Sequence, residues 1–257
     1  PTLSKEAVVA LTVHKAPAPG GPRVAIIGSG FSGIAAAVAL TRQGIEYEIF
    51  ESDEGIGGTW WKNRYPGAEV DLESHIYSFS FERNDWTRTH AGWEELQVYL
   101  ERTAAKWQIT PRVHFRTKVE EVRWDEATVT HQLRTDDGRD WGRFQAVISA
   151  VAFRNMRLVP PFARGETEYE GDLCHTSTWP EGLSMKGKSV GVVGSGSSGV
   201  QIIQEAVRDA REVKIFQLEP NWLIPKNARD FTPRERRLNR FAPIYWWRRM
   251  ALYVDYD

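Results

Sequence analysis

Two stretches of the chain show the same order of apolar run, glycine-rich turn, helical periodicity and second apolar run. The runs that open them are Val24-Ala25-Ile26-Ile27 and Val190-Gly191-Val192-Val193. Apolar β-branched runs of this length are typical of buried strands, and apolar residues that recur three or four positions apart indicate one face of a helix. The pattern predicts two β-α-β units, with strand 24–28, helix 32–43 and strand 46–51 in the first, and strand 189–194, helix 197–209 and strand 212–217 in the second.

The stretch between these units predicts further elements. A helix at about 93–107 carries one apolar stripe, formed by Trp93, Leu96, Leu100 and Ala104. A strand is predicted at 112–117, and residues 119–136 alternate in the manner of antiparallel strands that end at the hairpin signal Asp136-Asp137-Gly138. The apolar run 146–151 predicts a buried parallel strand that returns to the first sheet.

Together these elements predict an α/β fold with two Rossmann-like dinucleotide-binding domains. Each domain is expected to be a parallel sheet flanked by helices, with an antiparallel β insertion in the first. Proline and glycine are concentrated at 16–22, so residues 1–22 are expected to form a flexible lead-in. We therefore expect one nucleotide domain at 23–152 and a second at 153–257, with Val159-Pro160-Pro161 marking the crossing.

Both predicted strand-to-helix turns carry the pattern G-x-G-x-x-G, at residues 28–33 and 194–199. The first glycine allows the tight turn, the second lets the backbone approach a pyrophosphate, and the third lets the helix pack on the strand. The free N–H groups at the helix start then bind the phosphates. Glu51 closes the second strand of the first unit, where a carboxylate can accept hydrogen bonds from an adenosine ribose. Two such turns predict two dinucleotides and therefore redox chemistry.

Composition narrows the class of protein. The 257 residues carry a net charge of −1, which produces no overall field toward nucleic acid or a membrane surface. The single cysteine, Cys174, rules out a dithiol pair and argues against the disulfide reductases, which also use two dinucleotides. It is also in keeping with a cytoplasmic location. We expect no signal peptide, no metal site, and no membrane span, because no stretch reaches the roughly 18 apolar residues that a span requires.

Two longer motifs resemble signatures of the Baeyer–Villiger monooxygenases, within the flavin-containing monooxygenase superfamily. Residues 57–71, GGTWWKNRYPGAEVD, are similar to G-G-x-W-x-x-x-x-Y-P-G-x-x-x-D at every specified position. Residues 169–180, YEGDLCHTSTWP, resemble F-x-G-x-x-x-H-x-x-x-W-P, with Tyr169 in place of the usual Phe. With the two glycine patterns, the resemblance covers about 24–225.

The resemblance implies an enzyme that binds FAD at the first glycine pattern and NADPH at the second. It implies that NAD(P)H reduces the flavin, that O2 forms a C4a-peroxyflavin, and that one oxygen atom enters a small ketone to give an ester or lactone. The residues assigned to the FAD site are Gly28, Gly30, Phe31, Ser32, Gly33, Glu51, Gly58, Thr59, Trp60, Asp71, Tyr77 and Val119. Those assigned to the NAD(P) site are Gly194, Ser195, Gly196, Ser197, Ser198, Gly199, Gln201, Gln217 and Leu218.

Several of these assignments have a structural alternative. By the resemblance, Asp71 is the catalytic candidate, which orients groups at the flavin–nicotinamide junction. The turn Tyr65-Pro66-Gly67 is expected to aim its side chain inward. The alternative is that Asp71 is an ordinary turn carboxylate. Ser32 is alternatively a helix N-cap, and Tyr77 and Val119 are alternatively core residues.

The second signature is expected to link the two domains. Its defining residues are Gly171, His175, Trp179 and Pro180. By the resemblance, His175 couples domain movement rather than transferring protons, and Cys174 beside it is expected to be a small buried apolar residue.

The sequence departs from the family pattern at the end of the last strand of the second unit. The family usually has an arginine there that binds the 2′-phosphate of NADPH, whereas this chain has Phe216-Gln217-Leu218-Glu219. An acid at this place suits a free ribose hydroxyl and disfavours a phosphate. Two interpretations stay open: weakened NADPH preference with NADH as a possible donor, or compensation by Lys214, Arg211 or Lys226.

Family members carry about as much chain again, including a Lys-Arg pair whose arginine stabilises the peroxyflavin, so we expect this sequence to be the N-terminal half of the fold. The stretch 241–254 is rich in aromatic residues and is expected to expose an apolar patch, a candidate for self-association. A membrane-surface helix is the alternative. Three functions stay open: a ketone-oxidising enzyme, an N- or S-oxygenating relative, and a catalytically silent nucleotide-binding fragment.

Overall fold

The computed structural model describes residues 21–152 and 169–255, so the predicted crossing at 159–161 and most of the lead-in 1–22 lie outside the described residues. Its elements in chain order are β1 (Arg23–Ile27), α1 (Phe31–Gln43), β2 (Glu46–Phe50), α2 (Thr59–Lys62), α3 (Trp93–Lys106), β3 (Val113–His114), β4 (Val119–Asp125), β5 (Thr130–Thr135), β6 (Asp140–Phe144), β7 (Ala146–Ser149), β8 (Ser189–Val193), α4 (Ser197–Asp209), β9 (Glu212–Phe216), α5 (Pro233–Asn239) and α6 (Ala242–Asp255).

These elements group into two compact units. Among the described residues, the first unit contains 21–54 together with Trp107–Ala150, and the second contains Gly55–Lys106, 151–152 and 169–255. One boundary therefore lies beside the division at 152–153 that the sequence predicts. Residues 55–106, which the sequence places in the first domain, group with the second unit.

The first unit combines two sheets. The parallel sheet has the strand order β3-β2-β1-β7, and β4, β5 and β6 form an antiparallel sheet. The predicted β-α-β unit, antiparallel insertion and returning strand are all confirmed. The helix α1 ends at Gly44, whose φ of 68° is a conformation that glycine adopts without steric cost.

Apolar side chains from both sheets and from α1 form the core of this unit. Ala25 and Ile26 on β1 are fully buried, and α1 buries Ile34 against its own sheet. On the antiparallel side, Trp141 and Phe144 pack with Phe50. This core fixes the carboxyl ends of β1 and β2, where the first glycine pattern lies.

Two sequence predictions for this unit need correction. The strand predicted at 112–117 is only Val113–His114. Arg116 has a φ of 52°, and the N–H groups of Arg116 and Thr117 donate to Asp53 and Glu51 outside the ladder. The strand predicted at 146–151 is parallel to β1 but is only half-buried, because it is the edge strand of the sheet in the described part of the chain.

The second unit contains the second β-α-β arrangement and most of the remaining helices. The strands β8 and β9 are parallel, with Ser189 opposite Glu212 and Val193 opposite Phe216, as predicted. The helix α3 begins at Trp93, and its predicted apolar stripe is buried except for Trp93, which is half-buried.

The last two helices complete the second unit. Thr232 and Glu235 form a capping box at the start of α5, and the aromatic stretch at 241–254 is largely the helix α6. Tyr245 is fully buried, whereas Trp247 and Val254 are exposed, so the predicted apolar patch is present. In the part of the chain that is described, none of the helices combines the length and apolarity needed to cross a bilayer.

Candidate functional site

The two glycine patterns form strand-to-helix turns with matching backbone conformations. Gly28 and Gly194 have φ angles of 100° and 102°. Gly28 donates its N–H to the carbonyl of Phe50 at 2.8 Å, and Gly194 donates to the carbonyl of Phe216 at the same distance. In each unit the first glycine is therefore tied to the last residue of the neighbouring parallel strand.

The helices that follow these turns start in the same way. Gly30 and Gly196 are the N-cap residues, and both have extended backbones. The first helical hydrogen bonds run from Ile34 to Gly30 at 3.0 Å and from Val200 to Gly196 at 2.9 Å. The preceding N–H groups have no acceptor within the helix, which is the arrangement that binds phosphate at a helix start.

The third glycine of each pattern leaves no room for a side chain. A Cβ on Gly33 would lie 2.0 Å from the carbonyl oxygen of Gly28, and one on Gly199 would lie 2.4 Å from that of Gly194. Real Cβ atoms do not approach oxygen this closely, so each helix start packs directly on the turn. By contrast, a Cβ on Gly194 or Gly196 would meet no atom of the described residues within 4 Å, so these residues leave the second turn open where a pyrophosphate would approach.

Glu51 is held at the end of β2 beside the first turn. Its Oε2 accepts hydrogen bonds from the N–H of Ser29 at 2.8 Å and from the Ser29 hydroxyl at 2.7 Å, and its Oε1 accepts from the N–H of Asp53 at 2.9 Å. The residue is 4% exposed. The carboxylate is thus fixed in the place expected of a ribose-binding acid, and its contact with a ribose stays a prediction.

Other predicted residues of the first unit have different surroundings. Phe31 is half-buried and Ser32 is exposed in the first turn of α1. Because the N-cap is Gly30, the alternative role of Ser32 as a helix cap is wrong. Val119 is half-buried at the start of β4 and packs against the core cluster that includes Phe50.

The signature segment 57–71 lies in the second unit and begins with two glycines of positive φ. Gly57 has a φ of 140° and Gly58 a φ of 56°, and α2 follows directly. Thr59 is exposed on this helix, whereas Trp60 is buried and donates its Nε1–H to the hydroxyl of Tyr77 at 3.3 Å. Burial raises the pKa of the Tyr77 hydroxyl. Trp60 and Tyr77 therefore form one partly buried pair.

Gln201 of α4 connects the signature segment to the second nucleotide unit. Its Oε1 accepts a hydrogen bond from the Tyr65 hydroxyl at 2.7 Å. Its Nε2 donates to the carbonyl of Glu69 at 2.8 Å and to Oδ1 of Asp71 at 3.4 Å. Gln201, which we predicted as a nucleotide contact, thus holds the signature segment through both ends of its amide.

Asp71 itself is exposed, whereas the sequence led us to expect a carboxylate aimed inward. Val70 before it is buried, and the chain reaches the surface of the unit one residue later. The turn at Gly67 packs on α4, since a Cβ there would lie 2.8 Å from Cγ of Glu205. The turn and the amide of Gln201 therefore fix where Asp71 emerges.

Gln201→Met is expected to lower the free energy of unfolding of the second unit by about 1–3 kcal/mol, because the Tyr65 hydroxyl and the Glu69 carbonyl each lose the hydrogen bond to the Gln201 amide. Urea unfolding of the whole chain measures the change. Gln204→Met, an exposed position on the same helix, is the matched control and should change stability little. Equal effects of the two substitutions would contradict a holding role for Gln201.

Lys226 provides a second connection to the signature segment. Its Nζ lies 2.6 Å from a carboxylate oxygen of Glu69 and donates to the carbonyl of Val70 at 3.0 Å. Nearby, the N–H of Thr89 donates to the carbonyl of Arg229 at 2.9 Å. The chain that follows β9 is therefore bound to the region around Asp71 at two places.

The end of β9 is open to solvent. Gln217, Leu218 and Glu219 are all exposed, and Leu218 is 95% exposed. Asn221 donates through Nδ2 to the carbonyl of Ser195 at 2.5 Å and to its hydroxyl at 3.0 Å. The segment beyond the strand is thereby held against the glycine turn. The serines of the turn differ in exposure: Ser197 is exposed, and Ser195 and Ser198 are half-buried.

The linker signature has a local structural role in this unit. His175 caps the short 3-10 helix Thr176–Thr178, because its Nδ1 accepts the N–H of Ser177 at 3.1 Å. Trp179 packs on the cluster that contains Tyr65. Gly171 and Pro180 are exposed, and Cys174 is half-buried rather than fully buried as expected. Coupling of domain movement through His175 stays a prediction.

Sequence reasoning missed the contacts of Tyr65, Glu69 and Asn221. The signature motif contains Tyr65, but no pattern indicates that its hydroxyl binds a residue of the second glycine helix. Asn221 lies between Pro220 and Trp222 with no motif around it, and only the fold shows that it reaches Ser195. Across residues 21–152 and 169–255, no three His, Cys, Asp or Glu side chains are arranged to hold a metal ion.

Comparison with family models gives two matches. Residues 26–91 match the NAD(P)-binding Rossmann-like domain, which includes the first glycine turn. Residues 72–234 match the family described as L-lysine 6-monooxygenase/L-ornithine 5-monooxygenase, which takes in α3, the second glycine turn and the segment after β9.

Curated proteins and solved structures give matches over most of the chain. A Baeyer–Villiger monooxygenase of Pseudomonas aeruginosa is 35% identical over 91% of this chain and 45% of its own length. A cyclohexanone monooxygenase with bound ε-caprolactone has a TM-score of 0.81 at 32% identity, over 87% of this chain and 44% of that one. Steroid monooxygenase bound to NADP has a TM-score of 0.78 at 31% identity, over 87% and 43%. The chain spans slightly less than half the length of these relatives.

Proposed function

The chain belongs to the flavin-containing monooxygenase superfamily and is of the Baeyer–Villiger type, and from that premise we propose that it is the dinucleotide-binding half of an enzyme that inserts one oxygen atom of O2 into a ketone. The proposed coenzymes are FAD at the first glycine turn and a nicotinamide dinucleotide at the second. NADP is the coenzyme named for the steroid monooxygenase relative. The product is an ester or a lactone.

One observation carries the proposal: two glycine turns of the same conformation stand at the carboxyl ends of the first strands, β1 and β8, of two separate β-α-β units. Each turn has its third glycine pressed against the carbonyl of its first, at distances that admit no Cβ. Such turns suit pyrophosphate groups, and two of them suit an enzyme in which one dinucleotide reduces another. The signature segment supports the Baeyer–Villiger assignment.

The residues fit the proposed coenzymes in different ways. At the first turn, the helix N–H groups of residues 31–33 would bind the FAD pyrophosphate and the fixed carboxylate of Glu51 would accept from its ribose. When bound, FAD supplies hydride acceptance and oxygen activation. At the second turn, the N–H groups of residues 197–199 would bind the pyrophosphate of the nicotinamide dinucleotide. Gln201 and Lys226 bind the backbone of the signature segment, which carries Asp71, the proposed orienting carboxylate.

The experiment that tests the proposal titrates the purified chain with FAD and then with reduced nicotinamide dinucleotide, first without oxygen and then under air. We expect a yellow flavoprotein that is bleached by the dinucleotide in the absence of oxygen. Supplied with cyclohexanone, it should give the lactone, as detected by mass spectrometry. Absence of FAD binding contradicts the proposal. A flavoprotein that makes only hydrogen peroxide contradicts ketone oxidation by this half alone and leaves the dinucleotide sites supported.

A second candidate is oxygenation of an amine nitrogen. It is favoured by the match of 72–234 to the L-lysine 6-monooxygenase/L-ornithine 5-monooxygenase family. Product analysis with L-ornithine and L-lysine in parallel with the ketone separates the two activities. The complete signature at 57–71 is the reason for placing the ketone reaction first.

We also propose a cytoplasmic location and self-association of the chain. A cytoplasmic location is in keeping with the single cysteine. Self-association is proposed through the exposed face of α6, because the apolar side chains of Trp247, Met250 and Val254 are 72%, 61% and 75% exposed. Analytical ultracentrifugation of the wild type and of Trp247→Ser tests the second proposal, and a monomer at all concentrations contradicts it.

A further inference from the structure

We propose that the second dinucleotide turn selects NADH over NADPH, through the exposed strand end Gln217, Leu218 and Glu219. The inference rests on the proposed function, because it specifies which nicotinamide dinucleotide occupies that turn. It concerns only the group at the adenosine 2′ position, a hydroxyl in NADH and a phosphate in NADPH.

The position of the strand end follows from the equivalence of the two turns. Gly28 binds the carbonyl of Phe50 and Gly194 binds the carbonyl of Phe216, so the residues after the two strands correspond. Glu51 directly follows Phe50 and is held beside its turn. Gln217 directly follows Phe216 and takes the place of Glu51. In doubly wound folds the residues at this strand end contact the adenosine ribose of the bound dinucleotide.

The charge at this strand end opposes a 2′-phosphate. Such a phosphate is an anion that proteins bind with arginine or lysine through charge-assisted hydrogen bonds. Leu218 is 95% exposed and has no polar atom in its side chain, and Glu219 adds an exposed carboxylate. Gln217 and Glu219 instead offer an amide and a carboxylate, which suit the hydroxyl groups of a free ribose.

Three cations come close to this end in sequence, and each is engaged elsewhere. Arg211 precedes β9 and donates through Nη2 to the Ser189 hydroxyl at 2.8 Å. Lys214 pairs with Glu212, the first residue of β9, at 3.3 Å, so its ammonium lies toward the amino end of the strand. Dinucleotides bind at the carboxyl ends of parallel strands, so neither cation lies where a 2′-phosphate is bound.

Lys226 is the third cation and is the most firmly held. Its side chain is 26% exposed, and its ammonium binds the Glu69 carboxylate at 2.6 Å and the Val70 carbonyl at 3.0 Å. Moving it to a phosphate would leave the Glu69 carboxylate, whose side chain is 18% exposed, without this partner. As they are placed, Arg211, Lys214 and Lys226 therefore do not replace the arginine that binds the 2′-phosphate in the family.

Asn221 anchors the segment that carries Glu219 to the second glycine turn. Its Nδ2 binds Ser195 of the glycine turn, and Glu219 lies two residues earlier in the same segment. The segment with Leu218 and Glu219 is thus fixed at both ends, by the ladder of β9 and by Asn221. An added phosphate would meet a carboxylate in a fixed segment rather than a loop that can withdraw.

The test measures direct binding of NADH and NADPH to the FAD-loaded chain by isothermal titration calorimetry, without turnover. We expect NADH to bind at least tenfold more tightly than NADPH. Leu218→Arg is expected to tighten NADPH binding by about tenfold to a hundredfold, as for a well-made hydrogen bond to a charged group, with little change for NADH. Leu223→Arg, at another exposed leucine of the same segment, is the matched control for added charge.

The outcomes separate this inference from the proposed function. Tighter binding of NADPH than of NADH to the wild type overturns the inference alone. An equal gain in NADPH affinity for Leu223→Arg and Leu218→Arg overturns the assignment of Leu218. Failure of both dinucleotides to bind a chain that holds FAD overturns the proposed role of the second turn, and this inference with it.

Discussion

Gly33→Ala is expected to abolish FAD binding, and Gly199→Ala is expected to abolish binding of the nicotinamide dinucleotide while FAD binding survives. The new methyl group would lie 2.0 Å from the carbonyl oxygen of Gly28 in the first case and 2.4 Å from that of Gly194 in the second. Because both neighbours are backbone atoms, the helix start must move away from the turn. Such overpacking costs about 1–3 kcal/mol of stability and displaces the phosphate-binding N–H groups.

Flavin absorbance after gel filtration and calorimetric titration with NADH measure the two effects separately. Gly196→Ala is the informative control, because its backbone φ of −70° suits alanine and a Cβ there meets nothing within 4 Å. We expect this variant to unfold like the wild type and yet bind the dinucleotide less well, since the methyl group lies where the pyrophosphate approaches. FAD retention by Gly33→Ala at wild-type affinity would contradict the assignment of the first turn.

Local patterns were enough to predict most of the fold. The β-α-β units follow from apolar runs joined by turns whose glycine positions have a fixed steric reason, and both turns have the predicted form. The predicted range of the strand at 112–117 was wrong, because the end of the strand depends on the positive φ of Arg116 and on hydrogen bonds to Glu51 and Asp53. Those bonds join residues more than sixty positions apart, which no local pattern contains.

The site was predicted in its components but not in its connections. The family resemblance assigned Gln201 to the NAD(P) site, and the structure shows its amide bonded to Tyr65 and Glu69. The exposure of Asp71 was also missed, because burial of Val70 and emergence of the next residue depend on how the signature packs on α4. Such contacts between distant segments arise only from the tertiary fold.

The exposed strand end at Leu218 shows the opposite case. The sequence shows that Leu218 replaces the arginine usual in the family. It does not show whether another cation of the chain could bind a 2′-phosphate instead. Lys226 could have bound a 2′-phosphate on sequence grounds, but its ammonium is paired with the Glu69 carboxylate. The sequence therefore raised the question of coenzyme choice, and the contacts of the three cations in the second unit support the proposal that NADH is preferred.

His75→Phe is expected to remove much of the acid sensitivity of folding while preserving stability at neutral pH. The ring of His75 is fully buried between Phe231 and Tyr245, with ring centroids 5.5 and 4.8 Å away. Neither ring nitrogen has a hydrogen-bond partner among the residues that the structure describes, so a phenyl ring at this place loses no hydrogen bond to them. Burial and, after it, the positive charges of Arg248 and Arg249 lower the pKa of His75 to about 3.

The direction of the pH effect follows from this lowered pKa. The unfolded chain takes up a proton on His75 below about pH 6.5, whereas the folded chain keeps the ring neutral until about pH 3. The stability that His75 contributes is therefore fully present above pH 6.5 and is lost as the pH falls toward 3. The slope is about 1.4 kcal/mol per pH unit, so the wild type should lose about 2–3 kcal/mol more than His75→Phe between pH 6.5 and 4.5.

Urea unfolding of both proteins across this pH range measures the difference, with His175→Gln in the half-buried linker signature as the control histidine substitution. The carboxylates that titrate in the same range are present in all three proteins, so their contributions cancel in the comparison. Parallel stability curves for the wild type and His75→Phe would show that His75 is charged in the folded chain. That result would contradict a neutral ring packed beside two arginines, because protonation there would have to be stabilised by an acceptor that neither nitrogen has.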